Sequence, residues 1–283
     1  MAIITFWSDQ KEDTAKTASL VAIATLAALE RNFKSILIPT NYNDRTLESC
    51  FEDLENANAK TAGIFKAKQS ATVIDNGIDA LIKLLSSNKI TPDMITNYTK
   101  PIFKDRLEIL YGTSRPIEEY EKLKNLYTEI ILNANKYYDN VFIDLNKGTK
   151  DKLVKDVLIN SDMIIVNVTQ GPKAIRRYTS FLESNPEIFT GEKTIVLIGR
   201  YDEKSKYNKK NVSRYIGRKQ AVSTVPYNTL FMESMEESNV PDFFIKYMGV
   251  SEKDPNRLFI NEVREAMDVI LYKIEENKLN NRY

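Results

Sequence analysis

Short apolar runs alternate along this chain with longer stretches in which apolar residues return every three or four positions. The short runs predict strands at Ile3–Trp7, Ser35–Pro39, Leu107–Leu110, Val141–Leu145, Met163–Val168, Thr194–Gly199 and Val222–Val225. Helical spacing predicts helices at Thr17–Glu30, Ile74–Leu85, Pro116–Lys136, Lys150–Asn160, Pro172–Glu183, Lys209–Ile216 and Thr229–Glu236. Runs such as "MIIVNV" and "TIVLIG" are apolar on both strand faces, which predicts a parallel sheet covered on both sides. The expected fold class is therefore α/β, a doubly wound and mostly parallel sheet flanked by helices. Asn41–Thr99 carries few strand signals and is expected to hold two or three helices. Residues 1–250 read as one domain, and 251–283 as a C-terminal helix docked on it or on a partner.

Composition narrows the chemistry. The chain has 283 residues and a hydrophobic content of 42%, enough for a proper core. Its 40 basic and 39 acidic residues leave a net charge of +1, so no global field attracts nucleic acid or membrane. With one cysteine, Cys50, and no histidine, an intramolecular disulfide, a Cys/His zinc cluster, a Cys-His dyad and a Ser-His-Asp triad are excluded. There is no apolar leader and no run of about 18 apolar residues, so the expectation is a cytoplasmic protein without a transmembrane segment.

The stretch "FWSDQKEDTAKTASL" has the outline of a strand, a loop and a helix start. A phosphate loop works by converging backbone N–H groups on an anion, with lysine adding charge and Ser/Thr holding magnesium. Lys16 and Thr17 stand at that point in the pattern. With Lys11 five residues ahead, "KEDTAKTA" resembles the deviant Walker A motif, K-G-G-x-G-K-S/T-S/T, of the ParA/MinD family of P-loop NTPases. "ILIPTNYNDRTLE" resembles that family's switch I, and "VFIDLNKG" its magnesium-side strand end, with Asp144 as the aspartate. "VLIGRYD" and "STVPYNTLFMESMEES" are similar to its base-side strand and loop. "LEILYGTSRP", followed by a long helix and "YYDNVFIDL", is nearest the CpaE/TadZ branch, whose members help position pilus machinery. The resemblance implies ATP or ADP bound by Lys11, Thr14, Lys16, Thr17, Arg200 and Pro226, with magnesium held by Thr17 and Asp144.

The departures are equally specific. Glu12, Asp13 and Ala15 replace loop glycines, and non-glycine residues in left-handed backbone cost roughly 1–3 kcal/mol apiece. Pro39 and Asn41 stand where the family's switch I has aspartates, and Gly199 replaces the asparagine of its base-side N-R pair, leaving Arg200. The expected function is thus a degenerate ParA/MinD-like positioning or assembly factor for a pilus, conjugation or partition machine, with weak nucleotide binding and little hydrolysis. Its expected partners are proteins of that machine and a second copy, with recruitment by them to a membrane or pole. The alternative is an active partition ATPase that binds DNA, for which the basic run 200–219 is the candidate; such a run also reads as a solvated helix face. Lys16 and Thr17 likewise read as plain first-turn residues, with Thr14 or Asp13 as N-cap and Asp144 capping the helix near Lys150.

Overall fold

The computed structural model describes residues 1–10, 13–54, 77–217 and 220–280. In chain order the elements are β1 (Ala2–Trp7), α1 (Lys16–Glu30), β2 (Ser35–Pro39), α2 (Thr46–Ser49), α3 (Gly77–Ser86), β3 (Thr99–Phe103), β4 (Leu107–Leu110), α4 (Ile117–Leu123) and α5 (Tyr127–Ala134). They continue with β5 (Asn140–Asp144), α6 (Lys152–Asn160), β6 (Met163–Val168), α7 (Pro172–Ser184), β7 (Thr194–Tyr201), α8 (Lys209–Ile216), β8 (Ala221–Pro226), α9 (Thr229–Glu236), α10 (Val240–Tyr247) and α11 (Arg257–Asn280). The strands form one sheet in the order β3-β4-β2-β5-β1-β6-β7-β8. Every neighbouring pair is parallel except β3 with β4. This is the doubly wound sheet that the alternation predicts.

Two apolar layers cover the sheet, one on each face. Helix α1 is apolar on nearly every side, from Leu20 to Ala28, because it lies between the sheet and the pair α10 and α11. Helix α11 runs along β8 and α1 and buries Phe259, Ile260, Val263, Ala266, Met267, Ile270 and Ile274. Arg264 Nε holds both carboxylate oxygens of Glu30 at 3.0 Å, and Phe259 stacks on Phe231 with ring centroids 4.9 Å apart. Leu258, near the start of the same helix, is exposed.

Three elements differ from the sequence expectation. The predicted helix Pro116–Lys136 is broken into α4 and α5 by a 3₁₀ turn at Lys124–Leu126, where the Lys124 ammonium is held between Glu121 and Asp151. Tertiary ion pairing has overridden the local period. Strand β3 was not expected because it is an edge strand with little burial and carries Pro101, which is tolerated where no ladder partner is needed. Helix α10 was hidden by Pro241, which sits in the first helical turn, where its missing N–H is harmless. Of the helices expected in Asn41–Thr99, α2 and α3 are present; residues 55–76, with the start of the predicted Ile74–Leu85, lie outside the described residues.

The Phe259 contact sets an expected stability. Phe259→Ala removes a ring that is 2% exposed and leaves a cavity against Phe231, so urea unfolding is expected to show a loss of about 3–5 kcal/mol.

Candidate nucleotide site

The carboxyl ends of β1, β2 and β5 lie side by side, since Phe6 and Pro39 are both in register with Asp144. Ligands of open α/β sheets bind at this edge. The chain leaving β1 turns first toward α7. Gln10, buried, accepts hydrogen bonds from the Thr169 backbone and hydroxyl at 3.2 and 3.3 Å, and Arg177 donates to the Asp9 carboxylate at 2.9 Å. Lys11 and Glu12 lie outside the described residues. Asp13 then folds back: its Oδ1 accepts the Ala15 N–H at 2.8 Å, and its Oδ2 accepts from Arg200 at 2.5 Å.

The N-cap of α1 is neither Thr14 nor Asp13 but Ala15, in left-handed backbone with φ 53° and ψ 34°. A glycine would hold this conformation without the Cβ clash that costs alanine about 1–2 kcal/mol. The Asp13 hydrogen bond and the Arg200 pair hold the loop there instead. Gly199 also has a local reason. A Cβ at this position would lie 2.2 Å from the Thr14 carbonyl oxygen, so the loop backbone packs where any side chain would start. The sequence reading of Gly199 as a lost base-side asparagine therefore misses a steric requirement of this loop.

Lys16 and Asp144 form an ion pair in which both side chains are nearly dry. Lys16 Nζ also donates to the Leu145 carbonyl at 2.5 Å, and Thr17 Oγ1 donates to Asp144 Oδ2 at 2.7 Å. Asp144 caps no helix; Asp151 does so for α6 by accepting the Leu153 N–H at 2.9 Å. A hydroxyl and a carboxylate side by side are hard oxygen ligands that suit magnesium. Among the described residues no cluster of three or more His, Cys, Asp or Glu forms a metal site by itself. Cys50 is buried, and burial with Asp144, Glu236 and Glu48 nearby pushes its thiol up to about 12, which leaves it inert at neutral pH.

Beyond β2, Thr40 donates its N–H and its hydroxyl to the Asp144 carbonyl, both at 3.1 Å. Asn41 donates to Asp44 at 3.2 Å, and the Thr46 N–H donates to the other oxygen of Asp44 at 3.0 Å. Burial alone would raise the Asp44 carboxyl, but the hydrogen bonds from Thr46 and Asn41 and the nearby Lys16 ammonium outweigh it and hold it below its ordinary range. Arg45 fastens this segment to the loop after β4, donating to the Gly112 and Thr113 carbonyls at 3.0 and 2.9 Å.

These groups surround one cavity of about 650 Å³. The loop between β1 and α1 and the first turn of α1 contribute Asp13, Thr14, Ala15, Lys16 and Thr17; the segment after β2 contributes Asn41, Tyr42 and Asp44; Asn146, Lys147 and Arg200 add polar groups; and α9 adds Met232, Met235 and Glu236. Of the residues singled out from sequence, Thr14, Lys16, Thr17 and Arg200 line this cavity, and Asp144 lies beneath it on Lys16 and Thr17. Pro226 ends β8 in a buried position and is not among the described residues lining it. Asp44, Lys147 and the α9 side chains were missed. Asp44 sits just before a short helix and reads as an ordinary turn residue. In the basic run, Arg200 is taken by Asp13 and Lys209 by Glu265, while Arg218 and Lys219 lie outside the described residues.

No family model matches the chain, and no curated protein is similar to it in sequence. Solved structures are similar over nearly the whole length. A ParA family ATPase from Chlorobium tepidum has a TM-score of 0.67 at 12% identity, covering 94% of this chain and 98% of its own. A plasmid partition protein from Borrelia burgdorferi bound to AMPPNP has 0.62 at 18%, covering 96% and 99%. The cell division ATPase MinD of Pyrococcus furiosus has 0.63 at 11%, covering 94% and 98%. The chain has the doubly wound P-loop NTPase fold of the ParA/MinD ATPases.

The loop geometry makes a prediction of opposite signs. Ala15→Gly relieves left-handed strain and is expected to stabilise by about 0.5–1 kcal/mol after the entropy of a freer unfolded chain. Gly199→Asn is expected to destabilise by about 1–3 kcal/mol through overpacking on Thr14. Urea unfolding of both variants checks it; an unchanged Gly199→Asn would mean that the loop moves aside freely.

Proposed function

We propose that this protein is a ParA/MinD-like positioning or assembly factor that binds adenine nucleotide with magnesium weakly and hydrolyses it little. The observation that carries this reading is the closed set of contacts among Lys16, Asp144 and Thr17. The lysine that would meet phosphate is already neutralised by Asp144 and hydrogen-bonded to Leu145. Nucleotide binding must draw Lys16 away from a buried partner, and breaking such a pair is costly. Thr17 and Asp144 would hold the magnesium; when bound, the ion supplies charge neutralisation for the phosphates. Lys147 and Arg200 would add cationic contacts from the rim, and Met232 and Met235 give the base an apolar surface. The AMPPNP in the Borrelia relative supports nucleotide as the ligand class.

The positioning role follows from a site that binds but does not turn over, since such a protein acts through what it assembles. Its partners would be proteins of a pilus, conjugation or partition machine, with a second copy of the chain among them, and those partners would bring it to a membrane or pole. Among the described residues no helix is long and apolar enough to cross a membrane. The CpaE/TadZ branch is the nearest version of this role, on the segment 107–145.

A second reading, an active partition-type ATPase, is favoured by Asp44. Pro39 and Asn41 offer no carboxylate, but Asp44 brings one to the same cavity, held ionised and tied to Asn41. Calorimetry with magnesium-ATP and steady-state phosphate release separate the two readings. The first expects a dissociation constant weaker than about 10 μM, about −7 kcal/mol, with turnover indistinguishable between the parent and Asp44→Asn. Sustained turnover that Asp44→Asn abolishes would select the active enzyme.

A further inference from the structure

We propose that the Asp13 carboxylate is a resident anion of the phosphate loop, which a polyphosphate chain must displace and from which it takes over Arg200 as a ligand. The inference rests on the reading of the cavity as a polyphosphate site. Asp13 Oδ1 holds the Ala15 N–H at 2.8 Å and Oδ2 holds the Arg200 guanidinium at 2.5 Å. Those are one backbone donor at the start of α1 and one cation at the cavity rim, the two kinds of group that recognise a phosphate oxygen. Asp13 therefore satisfies, with its own two oxygens, donors that a ligand would otherwise use.

The contrast with Lys16 makes this pair the displaceable one. The Asp13 and Arg200 side chains are 65% and 44% exposed, whereas those of Lys16 and Asp144 are 9% and 3% exposed. A wet ion pair adds little stability and exchanges readily with another anion, while a dry one does not. Asp44, the neighbouring cavity carboxylate, is tied to Asn41 and Thr46, and among the described residues it forms no ion pair with a rim cation. A ligand with several adjacent charges outcompetes one carboxylate for Ala15 and Arg200; a single phosphate does not. Asp13 thus adds to the weakness that the Lys16 pair imposes and sets the site's preference for di- and triphosphates over monophosphates.

The test compares the full-length parent with Asp13→Asn, which keeps an oxygen acceptor for the Ala15 N–H but loses the charge. Calorimetry with magnesium-ATP and magnesium-pyrophosphate is expected to show binding tighter by about tenfold, equivalent to about 1.4 kcal/mol. Most of that gain is expected to vanish in Asp13→Asn with Arg200→Gln, because the freed guanidinium is what the ligand acquires. AMP and inorganic phosphate are expected to remain at least tenfold weaker than ATP. Trp7, the single tryptophan, is buried at the end of β1 and donates to the Gly148 carbonyl, so its emission gives a second binding signal beside the loop. Unchanged or weaker ATP binding in an Asp13→Asn protein that melts within a few degrees of the parent overturns the proposal. Should that variant not fold, Asp13→Ser, with a hydroxyl acceptor, carries the same expectation and the same refutation. If the parent and both variants bind no polyphosphate at millimolar concentration, the nucleotide reading falls and this inference with it. Parent binding without a gain overturns this inference alone.

Discussion

The arrangement of the site depends on one ion pair, between the ammonium of Lys16 and the carboxylate of Asp144, held where water hardly reaches. Two charges in such a place must stay together, because removing one leaves the other desolvated and unpaired, at a cost of about 3–5 kcal/mol. Much of the fold's local geometry serves this contact. Lys16 begins α1 and Asp144 ends β5, so the loop that joins β1 to α1 has to deliver the lysine over the neighbouring strand. The parallel register that sets Phe6 and Pro39 beside Asp144 fixes the point of delivery. Leu145 then accepts a second hydrogen bond from Lys16, and Thr17 donates to the other oxygen of Asp144.

A loop without glycine reaches this geometry by side-chain contacts rather than by backbone freedom. Its carboxylates would repel a phosphate if they were free, but the described ones are engaged. Asp9, itself largely buried, is paired with Arg177 of α7, and Asp13 bends back to Ala15 and Arg200. Glycine appears across the gap instead, at Gly199, where the loop backbone closes against β7. The left-handed conformation stays in the loop, at Ala15, and Gly199 adds a steric requirement on the strand that the loop packs on. Counting loop glycines is therefore a poor measure of whether the loop keeps its shape.

The same distinction explains what was legible in the sequence. Strands β6 and β7 were plain because they are apolar on both faces, and α8 and α9 were found with their observed limits because their periodicity is local. Edge strand β3 and the break between α4 and α5 were not, since an exposed strand has no apolar signature and Lys124 answers to Asp151 far along the chain. At the site, the strand-loop-helix pattern pointed to Lys16 and Thr17, and the resemblance pointed to Asp144. Asp44 escaped notice because its spacing is that of a turn residue, and only the folding of its segment over the cavity gives it a second role. The reason for Gly199 is a contact with Thr14, 185 positions earlier in the chain (199 − 14), and no local pattern encodes it.

The cavity is built on two mechanically different supports. On one side α1 is packed against the sheet, α10 and α11, with Arg264 clamping Glu30, so the helix carrying Lys16 and Thr17 is fixed along its length. On the other side the segment bearing Asn41, Tyr42 and Asp44 hangs on fewer, more polar contacts. Arg45 ties it to the loop after β4, and Tyr42 stacks on Tyr120 at 5.1 Å, which meets buried Tyr127 edge-to-face at 6.1 Å. Hydrogen-bonded loops open at lower free energy than close-packed helices. The second support is therefore the less tightly held, and the tyrosine row joins it to α4 and α5, which pack on the opposite face of the sheet from α11.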